Sequence, residues 1–286
     1  MTMLWPCGSY TGAIDVSRIL VSFLTAPRNG FTVFVRPLSG NAAFMNNSES
    51  WSPTKAEFRG GRWRASRDPQ RVAVGSRAVA DWTIAAYERA IRQHSHGVLA
   101  DLGCGDAPYY GMYRDRVTRV ICVDWPASRH VGSHVDVFCD LNDRIELPAE
   151  SVDTILCTDV LEHIYEPRRL WGEIVRVLRS GGVALVGVPF LYWIHEAPHD
   201  YHRYTRFALQ RYAEDAGLVV VSVDPIGGLP HVMTDLLCKA TRRIPVVPDA
   251  VRGIATIALR FGPLSRAANA SARRFPLAYL MVASKP

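Results

Sequence analysis

The chain has 286 residues, of which 48% are hydrophobic and 21% charged, and this balance excludes a wholly disordered chain and predicts a soluble globular protein. The formal net charge is +6, from 33 Lys and Arg against 27 Asp and Glu. Six Cys with no C-x-x-C pair exclude a zinc ribbon and a small disulfide scaffold. Four of them, Cys104, Cys122, Cys139 and Cys157, lie in or beside apolar runs, which predicts buried thiols and a reducing, cytoplasmic compartment.

The N-terminal part differs in composition from the rest. Residues 1–44 hold three Arg and one acid and open without a basic segment, so we expect no secretory signal. If translation begins at Met45, residues 1–44 are not part of the native protein. We expect these residues to be poorly ordered. Residues 45–76 are polar, rich in Arg and interrupted by Gly and Pro, which predicts an arm or loop. We therefore expect an N-terminal extension over 1–76 and a folded domain over 77–286.

From residue 77 onward, helical patterns alternate with short apolar runs. Helices are predicted at 77–94, 109–114, 167–178 and 205–216. Strands are predicted at 97–102, 119–124, 134–137, 153–158, 182–188, 218–224 and 277–283. Continuous apolar strands separated by helices are typical of a parallel sheet covered on both faces. The sequence therefore predicts an α/β fold: a doubly wound, mostly parallel seven-stranded sheet, with a helical insertion at about 229–275 before the last strand.

A glycine loop follows the first strand of this domain. Gly103 and Gly105 allow backbone to approach a ligand closely, but the third glycine of a dinucleotide fingerprint is replaced by Pro108. Asp101 and Asp106 flank the loop and suit a cation better than a phosphate. Asp124, at the end of the next strand, is placed to accept ribose hydroxyls. A ligand with a ribose, a positive charge and no phosphate is S-adenosylmethionine.

The segments VLADLGCGDAPY, VICVDW, FCDLND and VDTILCTDVLEHI, in this order and spacing, resemble class I S-adenosylmethionine-dependent methyltransferases of the type-11 group. The resemblance covers roughly 77–225 and the last strand. It implies a Rossmann-like methyltransferase fold and S-adenosyl-L-methionine as cofactor. The cofactor-binding residues that it implies are Asp101, Gly103, Gly105, Asp124, Asp140, Leu141, Thr158 and Asp159.

Asp159, Glu162 and His163 stand at i, i+3 and i+4, and would share a face if Asp159 opened a helical turn. The resemblance includes quinone O-methyltransferases in which a similar stretch binds a divalent ion, which implies Mg²⁺ here. The alternative is structural: Asp159 caps a short helix and His163 packs under the sheet edge.

A segment rich in His and Tyr follows the fifth strand of the domain. His195 and His199 match H-E-x-x-H formally, but Pro198 excludes the helix that this zinc signature requires. A loop over the strand ends is expected instead, with His195, His199 or His202 as candidate general base. The alternative is that these rings only seal the pocket. Thr205 is predicted to cap the next helix.

The positive charge is concentrated in two segments. Residues 239–275 carry a net +7 and residues 59–77 a net +5, so the remainder carries −6. Val251, Ile254, Ile257, Ala258 and Phe261 form a stripe on a modest basic amphipathic helix. The helix is either a cap packed on the domain or a peripheral membrane contact through 239–275.

We therefore expect a cytoplasmic or membrane-peripheral methyltransferase whose acceptor is a small molecule, a glycan or a lipid-linked group, methylated at oxygen. Nucleic acid is disfavoured as a partner because no aromatic and basic platform for single strands is evident. An RNA methyltransferase and a non-catalytic cofactor-binding interaction protein remain the alternatives.

Overall fold

The computed structural model describes residues 45–128, 132–260 and 262–286. The expectations for residues 1–44 and for Phe261 lie outside these ranges. The helices are α1 (Arg77–His94), α2 (Tyr110–Tyr113), α3 (Pro167–Val177), α4 (Arg206–Asp215), α5 (Leu229–Ala240), α6 (Val247–Ala258) and α7 (Gly262–Ser271). The strands are β1 (Ala56–Arg59), β2 (Arg62–Ala65), β3 (Val98–Leu102), β4 (Arg119–Asp124), β5 (Val137–Phe138), β6 (Val152–Thr158), β7 (Leu178–Pro189), β8 (Val219–Ile226) and β9 (Ala278–Ser284).

Seven of these strands form one sheet in the order β5-β4-β3-β6-β7-β9-β8. All neighbouring pairs are parallel except the two that involve β9, which runs antiparallel to β7 and to β8. The mostly parallel seven-stranded sheet predicted from the sequence is thereby confirmed. Its strand order is typical of the Rossmann-like methyltransferase fold.

Helices cover both faces of the sheet, as the continuous apolar strands predict. On one face, Leu102 and Ile155 pack in a core with Trp171 of α3 and Leu209 of α4. On the other face, a second core contains side chains of α1 and α2, among them Ile84, Tyr87, Ile91 and Tyr113. Because side chains alternate between the faces of a strand, β3 supplies both cores.

Residues 45–76 contain a hairpin where the sequence predicts an arm or loop. β1 pairs with β2 in antiparallel register, Ala56 opposite Ala65. The backbone N–H of Ala65 donates to the carboxylate of Asp81 on α1 at 2.9 Å. The Trp51 indole donates to the carbonyl of Ala107 at 3.0 Å, next to the glycine loop. The segment is thus packed against the sheet domain by contacts far apart in sequence, which a local pattern does not reveal. The predicted boundary at residue 76 stays a prediction.

The insertion before β9 is helical, as predicted, and consists of α5, α6 and α7. α5 packs on α1 through Val232, which joins Val79 in a small core. Across the described residues, the helices are all too short or too polar to cross a bilayer.

Thr205 is the N-cap of α4, as predicted, and its hydroxyl accepts a hydrogen bond from the backbone N–H of Ala208 at 3.2 Å. Replacing Thr205 by Ala removes this acceptor, and we expect the free energy of unfolding to fall by about 1 kcal/mol. Chemical denaturation measures the change. Thr205→Ser keeps the hydroxyl and should retain most of the stability; an equal loss in both variants would contradict the capping role.

Candidate functional site

A cavity of about 780 Å³ opens at the carboxyl ends of β3, β6 and β7. This is the edge of an open α/β sheet where ligands bind, because loops from several strands converge there. The wall opposite the strands comes from α1 and from the segment before it, through Val79, Thr83 and Arg71. The cavity is large enough for a cofactor and part of an acceptor.

The glycine loop after β3 lines the cavity. Gly103 has φ +70°, and a Cβ there would lie 2.3 Å from Cγ2 of Val160. Gly105 also has positive φ, +54°. The backbone N–H groups of Gly103 and Cys104 both donate to the carbonyl of Val123, at 2.8 and 3.1 Å. The loop is therefore fixed in a conformation in which side chains at these positions would be strained or would clash, and its backbone faces the cavity.

Two buried carboxylates stand beside this loop. Asp101 lines the cavity and accepts a hydrogen bond from the Tyr113 hydroxyl at 2.8 Å. Burial raises the pKa of Asp101 to about 7, against the lowering effect of the Tyr113 hydrogen bond. Asp124 accepts from the backbone N–H of Gly105 at 2.7 Å and from that of Trp125 at 2.6 Å. A buried carboxyl with a raised pKa is the kind of group that a bound cation would stabilise in its charged form.

Not all of the predicted cofactor residues line the cavity. Thr158 and Asp159 do, together with the loop residues, whereas Asp124, Asp140 and Leu141 are absent from the described lining. Asp140 accepts hydrogen bonds from the backbone and side chain of Asn142, both at 2.9 Å, and so stabilises a turn. Leu141 is buried in the core.

Asp159 is held by two groups that the sequence analysis missed. The Lys55 ammonium donates to one carboxylate oxygen at 2.9 Å, and the Tyr87 hydroxyl donates to the other at 3.0 Å. Burial would raise the pKa of Asp159, but Lys55 outweighs it, so the pKa is lowered. Lys55 comes from the segment before β1 and lines the cavity. Its only sequence signal is that it is the sole Lys of the first 238 residues, which says nothing about its position.

A second cluster lies beside this pair. Glu162 is fully buried, and neither of its carboxylate oxygens has a hydrogen-bond partner within the described ranges. One of them lies 3.6 Å from Nε2 of His195 and 3.7 Å from Nε2 of His163. Burial raises the pKa of Glu162 despite these imidazoles. Burial lowers the pKa of His195, but the Glu162 and Asp200 carboxylates outweigh it, so that pKa is raised.

Each imidazole of the cluster is oriented from its far side. Nδ1 of His163 lies 2.7 Å from the carbonyl of His199, so Nδ1 carries the proton and Nε2 faces Glu162 as an acceptor when the ring is neutral. Nδ1 of His195 lies 3.3 Å from Oδ2 of Asp200. Asp200 is itself held by Arg203 through both carboxylate oxygens, at 2.5 and 2.7 Å. The second ring nitrogen of both His therefore points at the same buried carboxylate.

The structure does not bring together the metal ligands expected from the sequence. Asp159 has φ +57° and lies outside the short helical turn Leu161–His163, so it does not share a face with Glu162 and His163. The group able to hold an ion among the described residues is Glu162, His163 and His195. Mg²⁺ prefers oxygen ligands and bound waters. One carboxylate with two imidazoles does not fit it.

The three candidate bases differ in position. His195 lines the cavity, whereas His199 and His202 are absent from its described lining. Nδ1 of His199 lies 3.0 Å from the Tyr201 hydroxyl, on the exposed side of the loop. The His202 ring packs on Tyr204. Residues 195–199 form no helix, in agreement with the rejection of a zinc signature there.

Comparisons with known proteins find similarity to methyltransferases. Residues 100–186 match the family model described as a methyltransferase domain. A protein of Mycolicibacterium smegmatis, named a probable S-adenosylmethionine-dependent methyltransferase, is 31% identical over 108 residues, 36% of this chain and 42% of that protein. A thiol S-methyltransferase of Homo sapiens is 31% identical over 111 residues, 35% of this chain and 43% of that protein. The chain thus spans less than half the length of these relatives.

Among solved structures, an S-adenosylmethionine-dependent methyltransferase from Mesorhizobium loti superposes with a TM-score of 0.47 at 15% identity. The match covers 70% of this chain and 96% of that one.

The raised pKa of Asp101 has a consequence for stability. The pKa of this carboxyl is higher in the folded than in the unfolded state. The free energy of unfolding therefore falls as pH rises from about 4 to about 7, and the loss is complete above that pH. Asp101→Asn keeps an acceptor for Tyr113 and removes this penalty. We expect the variant to be more stable than the parent at pH 8 by roughly 1–3 kcal/mol and close to it at pH 4. Urea denaturation at both pH values measures the difference, and a variant less stable at pH 8 would contradict it.

Proposed function

We propose that this chain, whose residues 100–186 match the model of a methyltransferase domain, is an S-adenosylmethionine-dependent methyltransferase acting on a small-molecule, glycan or lipid-linked acceptor at oxygen. The observation that carries the proposal is one cavity that combines the glycine loop, buried carboxylates at the strand ends and an imidazole paired with a buried glutamate.

The residues present fit the cofactor. Asp101 and the backbone of Gly103 and Gly105, which line the cavity, would hold the methionine end. Asp124, which accepts from the Gly105 N–H at the end of β4, would accept the ribose hydroxyls. When bound, S-adenosylmethionine supplies a methyl group already activated by a sulfonium. The buried carboxyl of Asp101, whose charged form a bound cation would stabilise, favours a cationic ligand.

The protein contributes mainly by position. Methyl transfer needs the acceptor atom aligned with the methyl carbon, and holding two reactants in one cavity supplies much of the rate. Val79, Tyr109 and Leu277 contribute apolar surface to the cavity wall. Lys55 and Tyr87 hold Asp159 at the floor, so this carboxylate keeps one orientation.

An oxygen acceptor must lose a proton, and His195 is the group placed to take it. Its imidazole lines the cavity, and Glu162 and Asp200 stabilise the imidazolium that forms. A base is most effective when its pKa lies near the working pH. The raised pKa makes His195 a stronger base. It also means that the neutral imidazole, the form that accepts a proton, is present only above that pKa.

The thiol S-methyltransferase relative supports a second candidate, a thiol acceptor. A thiol ionises near neutral pH and needs less help from a base than an alcohol does. Dependence on His195 therefore separates the two: strong dependence favours an oxygen acceptor, and weak dependence with a thiol substrate favours sulfur.

Cofactor binding tests the first part of the proposal. We expect S-adenosylhomocysteine to bind and to raise the unfolding free energy by about 2–3 kcal/mol at about 100 times its Kd, with no effect of NADH. Asp124→Ala should weaken binding at least tenfold, because a ribose acceptor and the partner of the Gly105 N–H are lost. Asp224→Ala, an exposed carboxylate on β8, is the matched control. Titration calorimetry decides, and unchanged binding in Asp124→Ala would contradict the assigned role.

Methyl transfer tests the second part. With a hydroxyl acceptor found by screening with labelled donor, His195→Gln should lower kcat by about 10²–10⁴-fold and leave the Kd of S-adenosylhomocysteine unchanged. His199→Gln and His202→Gln are the controls and should lower kcat far less. In the parent protein, kcat should rise with pH as His195 loses its proton. Cofactor binding with no methyl transfer to any acceptor class would favour a non-catalytic protein instead.

The RNA alternative is tested by salt. Binding to RNA through the Arg-rich segments would weaken steeply as salt concentration rises. Absence of salt-dependent binding excludes it.

A further inference from the structure

We propose that α5, α6, α7 and the loop between β7 and α4 form a docking surface for the anionic face of a lipid bilayer, which brings the mouth of the cavity to the membrane. The proposal deepens the proposed function by selecting a lipid-linked acceptor, and it rests on that function only for the position of the acceptor. The surface formed by these elements is called the helical surface below.

The solvent-facing side of the helical surface carries apolar side chains, whereas a cap packed on the domain would expose polar ones. Ten of the eighteen exposed large hydrophobic side chains in the described parts of the chain lie between residues 229 and 275. On α5 they follow the spacing of one helix face: Leu229, Met233, Leu236 and Leu237. The opposite face of α5 packs inward and carries the buried ion pair between Asp235 and Lys239. α5 thus turns its apolar side outward.

α6 has the same inverted arrangement. Ile254 and Ile257, one turn apart, are 70% and 71% exposed. Arg252 points the other way and pairs with Asp81 and Asp249 at 2.9 and 3.1 Å. The predicted stripe on this helix therefore exposes its two isoleucines. Unpartnered apolar patches of this kind mark interaction sites.

The same part of the chain also carries exposed arginines. Arg243, Arg260, Arg266, Arg273 and Arg274 have exposed side chains, and within the described ranges none of them has a carboxylate partner. Inward-facing Arg77 and Arg252, by contrast, are both paired. Exposed aliphatic side chains together with unpaired cations match an interface of acyl chains under anionic headgroups.

Two other occupants fit less well. A symmetric second copy would bring two +7 segments face to face, at a cost in repulsion. A nucleic acid would satisfy the arginines, but a phosphate backbone offers no partner for exposed Leu, Met and Ile. The bilayer satisfies both kinds of side chain.

The helical surface is continuous with the cavity. Trp193 and Ile194 are exposed in the loop after β7, while the neighbouring Tyr192 and His195 line the cavity. The Lys239 ammonium lies 3.7 Å from the centre of the Tyr192 ring, and the Arg242 guanidinium lies 5.6 Å from that of Trp193. Trp is favoured at the headgroup level of membranes. A lipid headgroup at this site would reach the cavity without leaving the bilayer surface.

Vesicle co-sedimentation of the full chain tests the proposal. We expect binding to vesicles of phosphatidylcholine with phosphatidylglycerol, at least tenfold tighter than to phosphatidylcholine alone and weakened by salt. Arg273→Gln with Arg274→Gln should weaken it about tenfold or more. Leu236→Asp with Ile254→Asp should abolish it. Phe207→Asp replaces an exposed aromatic on α4, which packs on the other face of the sheet, and should change nothing.

Circular dichroism and binding of S-adenosylhomocysteine by each variant show that folding and the cofactor site are intact. Equal binding to both vesicle types, or no binding to either, would overturn the proposal. So would a concentration-dependent dimer disrupted by Leu236→Asp, or RNA binding that the aspartates leave unchanged. Vesicle binding without cofactor binding would refute the proposed function and leave the docking surface standing.

Discussion

The parallel pairing of β3 with β4 and β6 is the constraint on which the site depends. Asp101 lies opposite Cys122 on one side and Leu156 on the other. This register brings the carboxyl ends of three strands to one edge, so that the glycine loop, Asp124 and Asp159 meet although they are distant in sequence. The strands hold their register because both faces are buried, and a slip by one residue would exchange the two cores.

Charge is the second theme of the molecule. The cavity contains the buried carboxyls of Asp101 and Glu162 and the partly exposed carboxylate of Asp159, and their pKa values differ because their neighbours differ. Lys55 keeps Asp159 ionised, whereas burial raises the pKa of the other two. Burying acids without full compensation lowers stability, and such groups concentrate where a protein binds or reacts. The net positive charge is concentrated instead in residues 59–77 and 239–275.

Periodicity predicted the fold well. Helix 77–94 has the predicted bounds, strand 119–124 likewise, and the seven-stranded sheet follows from apolar runs that are decided locally. The site was harder to predict from the sequence. The glycine loop and strand-end acids have a local signature. The contacts of Lys55 and Tyr87 with Asp159 span 104 and 72 residues of the chain, and the pairing of His195 with Glu162 also joins distant segments, so no local pattern reveals them. The left-handed conformation of Asp159 also has no signal in its sequence.

The contact between Lys55 and Asp159 joins the N-terminal hairpin segment to the floor of the cavity. A ligand that competes with Lys55 for Asp159 weakens the docking of this segment. By thermodynamic reciprocity, the docked segment lowers the affinity for that ligand by the same factor. The segment and the ligand therefore share one binding partner. The rate of proteolytic cleavage between residues 45 and 65 would then depend on whether a ligand occupies the cavity. Conversely, another molecule that bound the hairpin would change the affinity of the cavity for its ligand.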